Sequence, residues 1–138
     1  MRLSLLLALL VASGCSAVTD TPRGDATVTD PPDTVEAYRA DRAEMMAQLD
    51  AAIGQAQADD VQACRVVAVG AKACGGPATH RVYSATDGDA AEIEALAERI
   101  TELDDYANGA FGLVSNCMVE AEPAPALTEG RCTASGPR

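Results

Sequence analysis

Residues 87–109 read DGDAAEIEALAERITELDDYANG. Ile93, Leu96, Ile100, Leu103 and Ala107 recur at gaps of three and four, which places them on one stripe of an α-helix. Glu94, Glu98, Glu102 and Asp105 fall on the other side. That side reads as a solvated face rather than an acid/base pair. Asp89 stands three residues before Glu92, the spacing of a capping box. Asn108-Gly109 and Gly112 are stop signals. The pattern predicts a helix over about 89–108.

Working outward from this helix, two β-like runs lie upstream. CRVVAV at 64–69 is β-branched and bounded by Gly70, and RVYS at 81–84 alternates with period two. Before them, Pro31-Pro32-Asp33 announces another helix, with Asp33 and Glu36 at capping-box spacing. Its apolar positions are Val35, Tyr38, Met45 or Met46, Leu49 and Ile53, against Glu36, Arg39, Asp41, Glu44 and Asp50 on the opposite face. The spacing predicts a helix over about 34–57. Downstream, LVSNCMV at 113–119 reads as a third strand, and RCT at 131–133 as a fourth after Glu129-Gly130. The order α-β-β-α-β-β predicts an α+β fold, with two amphipathic helices on one face of a small antiparallel sheet.

Five cysteines occur, at 15, 64, 74, 117 and 132. Cys64, Cys74, Cys117 and Cys132 give an even count in a domain of about 100 residues, which in an exported chain reads as two disulfides. Structural zinc sites use pairs separated by two to four residues. The gaps here are nine, 42 and 14 residues, so no metal is expected. Three pairings are open. Loop-closure entropy gives about 4 kcal/mol for each bond of 74–117 with 64–132, and about 3 for each of 64–74 with 117–132. That difference is too small to decide. The long-range pairing is favoured because it ties each early β segment to a late one.

The N-terminus carries an export signal. Arg2 supplies a positive charge, and LSLLLALLVA at 3–12 is an apolar run too short to span a bilayer. It ends in Ala12-Ser13-Gly14-Cys15, which resembles a bacterial lipobox, with Ala12 where leucine is more usual. The resemblance implies cleavage after residue 14 and lipidation of Cys15. Ser16, rather than Asp, follows the cysteine, which implies the outer membrane. Several acyl chains on one cysteine hold firmly where one alone does not. Residues 15–34 then form the lipidated cysteine and a tether rich in Thr, Asp and Pro. As a flexible coil it reaches roughly 25 Å. Arg23-Gly24-Asp25 within it carries no weight at this length. The expected organisation is a signal peptide at 1–14, the tether at 15–34 and one folded domain at 35–134.

Charge and composition exclude several classes of function. The 138 residues hold 10 Lys+Arg and 21 Asp+Glu, for a net charge of -11. Cleavage after residue 14 removes Arg2 and no acid, leaving nine bases against 21 acids and a net charge of -12. Such a chain repels both nucleic acid and anionic headgroups. No Trp, one Phe and three Tyr argue against a base- or sugar-stacking platform.

A longer pattern is visible across 55–133: C-R-x4-G-x3-C-G-G-P at 64–77, Y-S at 83–84, G-L-x-S-x-C at 112–117 and G-x-C at 130–132. This resembles a family of bacterial exported proteins, many of them lipoproteins. Members of that family often carry two further cysteines. Here Ala56 or Gln57 and Leu127 stand at those places. The resemblance implies export and a shared fold, and implies no particular chemistry.

Catalytic signals are sparse. His80 is the single His and Lys72 the single Lys. Ser84 and Ser115 are serines for a triad, but no G-x-S-x-G elbow exists and no S-x-x-K pair. Asp87-Gly88-Asp89 opens like a calcium loop, but Ala91 and Glu92 stand where a ligand and a glycine are required. No catalytic residue and no cofactor are expected. Gly75-Gly76-Pro77 beside Cys74 reads as a tight turn that positions a disulfide, with an anion nest as the alternative. The segment from Lys72 to His80 (Lys72, Gly75, Gly76, Pro77 and His80) is the candidate binding loop. The expected function is a non-catalytic, lipid-anchored envelope protein with a binding or structural role. Inhibition of a secreted or host hydrolase is the alternative. Expected partners are the membrane, through the anchor, and a cationic protein.

Overall fold

The computed structural model describes residues 30–137. The expected signal peptide, Cys15 and most of the tether lie outside the described residues. Helix α1 spans Val35–Ile53, strands β1 Cys64–Ala71 and β2 Pro77–Ser84, helix α2 Ala90–Phe111, and strands β3 Pro123–Thr128 and β4 Arg131–Pro137. The fold is α+β with two helices, two disulfides and two small antiparallel sheets rather than one: β1 pairs with β2, and β3 with β4. α2 lies on β1, and α1 packs on α2.

The helix boundaries follow from their caps. Thr34, not Asp33, caps α1 by accepting the Ala37 N–H. α1 stops at Gly54, whose φ of 58° ends the helix four residues before the expected limit. Asp89 caps α2, accepting from the N–H groups of Ala91 and Glu92. α2 runs through Asn108-Gly109 to a left-handed Gly112. That last turn is held because Ala107 is buried and the Asn108 side chain donates to the Ala71 carbonyl. Pro32 is already buried, and its carbonyl accepts from the Tyr106 hydroxyl on α2.

The expected strand at 113–119 is not formed. Residues 113–122 are irregular, and the third strand is instead Pro123–Thr128. Its prolines mask it in the sequence. They are tolerated because β3 is an edge strand, where outward N–H groups have no ladder partner. The two-residue turn Glu129-Gly130 joins it to β4 with φ of 51° and 72°. Positive φ at both central residues matches the right-handed twist of a hairpin.

The core is aliphatic. Met45, Leu49 and Ile53 of α1 meet Ile93, Leu96, Ala97, Ile100 and Leu103 of α2, together with Val69 and Tyr83 of the first hairpin. The Cys64–Cys132 disulfide lies within this cluster and joins β1 to β4. Cys74–Cys117 is the second bond. Of the three pairings open from sequence, this is the long-range one. By loop-closure entropy each bond is worth about 4 kcal/mol.

Candidate functional site

Three side chains of α2 fix the end of β1. Thr101, Asp104 and Asn108 follow at gaps of three and four and so share a face. Thr101 Oγ1 accepts the Gly70 N–H at 3.0 Å and donates to the Ala97 carbonyl at 2.9 Å. Asp104 Oδ2 accepts the Ala71 N–H at 3.0 Å. Asn108 Nδ2 donates to the Ala71 carbonyl at 3.1 Å. The strand end is thereby bonded to the helix directly before Lys72, where the turn begins.

Asp104 is a buried carboxylate with four donors. Its Oδ1 accepts from Tyr38 Oη at 2.8 Å and Arg42 Nε at 2.7 Å, and its Oδ2 from Arg42 Nη2 at 3.1 Å and the Ala71 N–H. Arg42 thus grips it bidentately from α1. Both oxygens are fully engaged within the fold. The group acts as a clamp across α1, α2 and β1, and it has no lone pair left for a substrate.

Tyr38 and Tyr83 record this packing. Burial pushes the Tyr38 hydroxyl up to about 12, helped by its bond to Asp104. Burial likewise pushes Tyr83 up to about 12, helped by its 2.6 Å bond to Glu94. Folded values above the unfolded one mean that the stabilisation is full below pH 10 and is lost as pH rises towards 12. Thermal melts followed by circular dichroism should therefore hold steady below pH 10 and fall steeply above it. Tyr38→Phe with Tyr83→Phe should flatten that fall. The same slope in the double variant would exclude these hydroxyls as its cause.

Beyond the clamp, β1 and β2 are joined by a turn at residues 72–76. It is closed by Lys72 N–H to the Gly76 carbonyl at 2.9 Å and Gly75 N–H to the Lys72 carbonyl at 2.8 Å. Gly75 and Gly76 hold φ of 91° and 78°, which glycine adopts without the Cβ penalty. Residues 73–76 are exposed.

A second segment, 113–122, is fastened to this turn at two points. Cys74 is bonded to Cys117, with 5.3 Å between their Cα atoms. Lys72 Nζ donates to the Met118 carbonyl at 2.7 Å and lies 3.7 Å from Glu120 Oε2. Fastened there, the segment leaves Val114, Met118 and Val119 exposed at 93%, 68% and 92%. Single exposed apolar residues are ordinary; here three fall on one cross-linked segment of ten residues.

The structure distributes the expected loop residues unevenly. Lys72, Gly75 and Gly76 lie in the turn, and Pro77 opens β2 opposite Ala71. His80 lies further along β2, opposite Ala68, away from the turn. Its Nδ1 is buried without a hydrogen-bond partner. The Asp104 clamp and the exposed residues of 113–122 did not emerge from the sequence as site residues.

Two shallow grooves of about 350 Å³ each lie elsewhere, one beside Pro31, Pro32 and Tyr106, the other beside Asp59, Glu129 and Arg131. Neither is lined by a serine, cysteine or histidine. Among the described residues, no group of three His, Cys, Asp or Glu is placed to hold a metal ion, and no helix is long and apolar enough to cross a membrane. No family model, curated protein or solved structure matches the chain.

Proposed function

We propose that the chain is a lipid-anchored protein of the bacterial cell envelope with a non-catalytic binding role, whose partner surface is the turn 72–77 joined to segment 113–122. One observation carries the binding surface: Val114, Met118 and Val119 are exposed on a segment held to the turn by Cys74–Cys117 and by Lys72. Cross-linking lowers the ordering entropy that a loop loses on binding. The acidic chain, with Glu120 and Glu122 exposed beside these residues, selects a cationic protein as the partner.

Export is supported by the two disulfides, which form and persist in oxidising compartments. The anchor at Cys15 and the outer-membrane location rest on the lipobox-like sequence. The resemblance to bacterial exported proteins rests on the sequence pattern at 64–132.

The exposed, cross-linked turn at 73–76 favours a second reading, inhibition of a secreted or host hydrolase whose cleft accepts that turn. Both readings share one test. The tagged mature protein is used to capture partners from envelope extract, and is assayed against lysozyme and a protease panel, at low and physiological salt. Val114→Ser with Met118→Ser and Val119→Ser should keep the fold and weaken capture at least about tenfold. A stoichiometric partner held equally well by the triple variant would reject this surface. Inhibition of a hydrolase, lost in a Gly75→Ala, Gly76→Ala variant, would select the second reading.

A further inference from the structure

The two disulfides occupy opposite environments. Cys64 and Cys132 are 4% and 7% exposed and belong to the core. Cys74 and Cys117 are both exposed. Exchange begins when a thiolate reaches a sulfur, so access separates the two bonds. The cost of opening separates them as well. No residue of 72–76 or 113–122 belongs to the buried core, so freeing these segments removes none of its packing. The Asp104 clamp holds the strand at Ala71, before the turn begins, and Cys64–Cys132 lies within the buried core.

We propose that Cys74–Cys117 is a thiol–disulfide exchange site, opened by a dithiol reductant while Cys64–Cys132 holds the fold together. A thiolate of the reductant bonds to Cys74 Sγ, the Sγ–Sγ bond breaks, and Cys117 leaves as a thiolate that takes a proton from water. The second thiol of the reductant, deprotonated, then attacks the mixed disulfide and releases Cys74, which is protonated in turn. The protein gains two electrons and two protons, and the dithiol becomes a disulfide. Opening removes the covalent one of the two fastenings between segment 113–122 and the turn, leaving the Lys72 contacts to Met118 and Glu120. The exchange site stands on access and packing. Its effect on a partner rests on the binding surface proposed above.

The test uses the oxidised mature protein in native buffer with graded dithiothreitol. Samples are quenched in acid, labelled with N-ethylmaleimide and mapped by peptide mass spectrometry. Cys74 and Cys117 should be labelled together, at least about tenfold faster than Cys64 and Cys132. Far-UV circular dichroism should not change during that first phase. Equal labelling of all four cysteines, or earlier labelling of Cys64 and Cys132, overturns the proposal. Loss of the circular dichroism signal in step with the first labels also overturns it. Cys74→Ser with Cys117→Ser should fold and show only the slow phase, and failure of that variant to fold counts against the proposal. These outcomes are read without a partner, so they leave the binding surface to its own capture test.

Discussion

Replacing Asp104 with alanine should lower the unfolding free energy by about 3 kcal/mol, the lower end of the range for breaking a buried ion pair from one side, because the Arg42 side chain is 27% exposed. The substitution leaves the Arg42 guanidinium without its carboxylate, and the Tyr38 hydroxyl and Ala71 N–H without an acceptor. Each stranded donor carries a desolvation penalty of about 1–3 kcal/mol if water does not replace the lost oxygen. Asp104→Asn keeps the shape and one acceptor oxygen, so it should cost less than alanine. Urea unfolding followed by circular dichroism measures both. A loss under about 1 kcal/mol for the alanine variant would show that the clamp holds little. Hydrogen exchange supplies a local readout. The amides at 70–76 should exchange faster in the alanine variant, because the carboxylate holds the strand end from which the turn departs.

Gly70→Ala should be as severe, at about 3 kcal/mol or more, through a clash rather than a missing bond. Gly70 has φ of 70°, and a Cβ there would collide with Asp104 Oδ2 while lying 2.9 Å from Arg42 Nη2 and 3.1 Å from the Ala78 Cβ. Neither element can yield easily. The carboxylate is fixed by its donors, and the strand end by Thr101 and Asn108. Gly75→Ala is the control. It shares a positive φ, but nothing lies within 4 Å of the added carbon, so only the conformational penalty of about 1 kcal/mol remains. Equal effects at the two positions would show that close approach to the clamp is not what fixes Gly70.

Both positions mark where sequence reasoning succeeds and where it stops. The stripe from Ile93 to Ala107 is legible because burial on a helix repeats every three to four residues, and the structure buries Ile93, Leu96, Ile100, Leu103 and Ala107. Asp104 stands on that same stripe, four residues after Ile100 and three before Ala107. An acid in that position is the signal of a buried polar contact. Arg42, four residues after Tyr38 and three before the buried Met45, is its counterpart on α1. Their meeting depends on how the two helices approach, which neither local pattern encodes.

Residues 113–119 mislead for a different reason. Their composition is that of a strand, but a strand also needs an adjacent edge, and the chain instead leaves Val114, Met118 and Val119 in solvent. The true β3 carries Pro123 and Pro125 and is recognisable only through its partner β4. Apolar residues with no strand partner are the trace that the proposed surface leaves in the sequence.

The proposed function rests on the binding surface at 72–77 and 113–122. Its most direct measurement is hydrogen–deuterium exchange of the mature protein, alone and saturated with the partner captured from envelope extract. Protection should appear across 72–77 and 113–122, with the amides of α1 and the β3–β4 hairpin unchanged. Protection confined to the groove at Pro31, Pro32 and Tyr106 or to the β3–β4 hairpin, with 113–122 unaffected, would contradict the assignment.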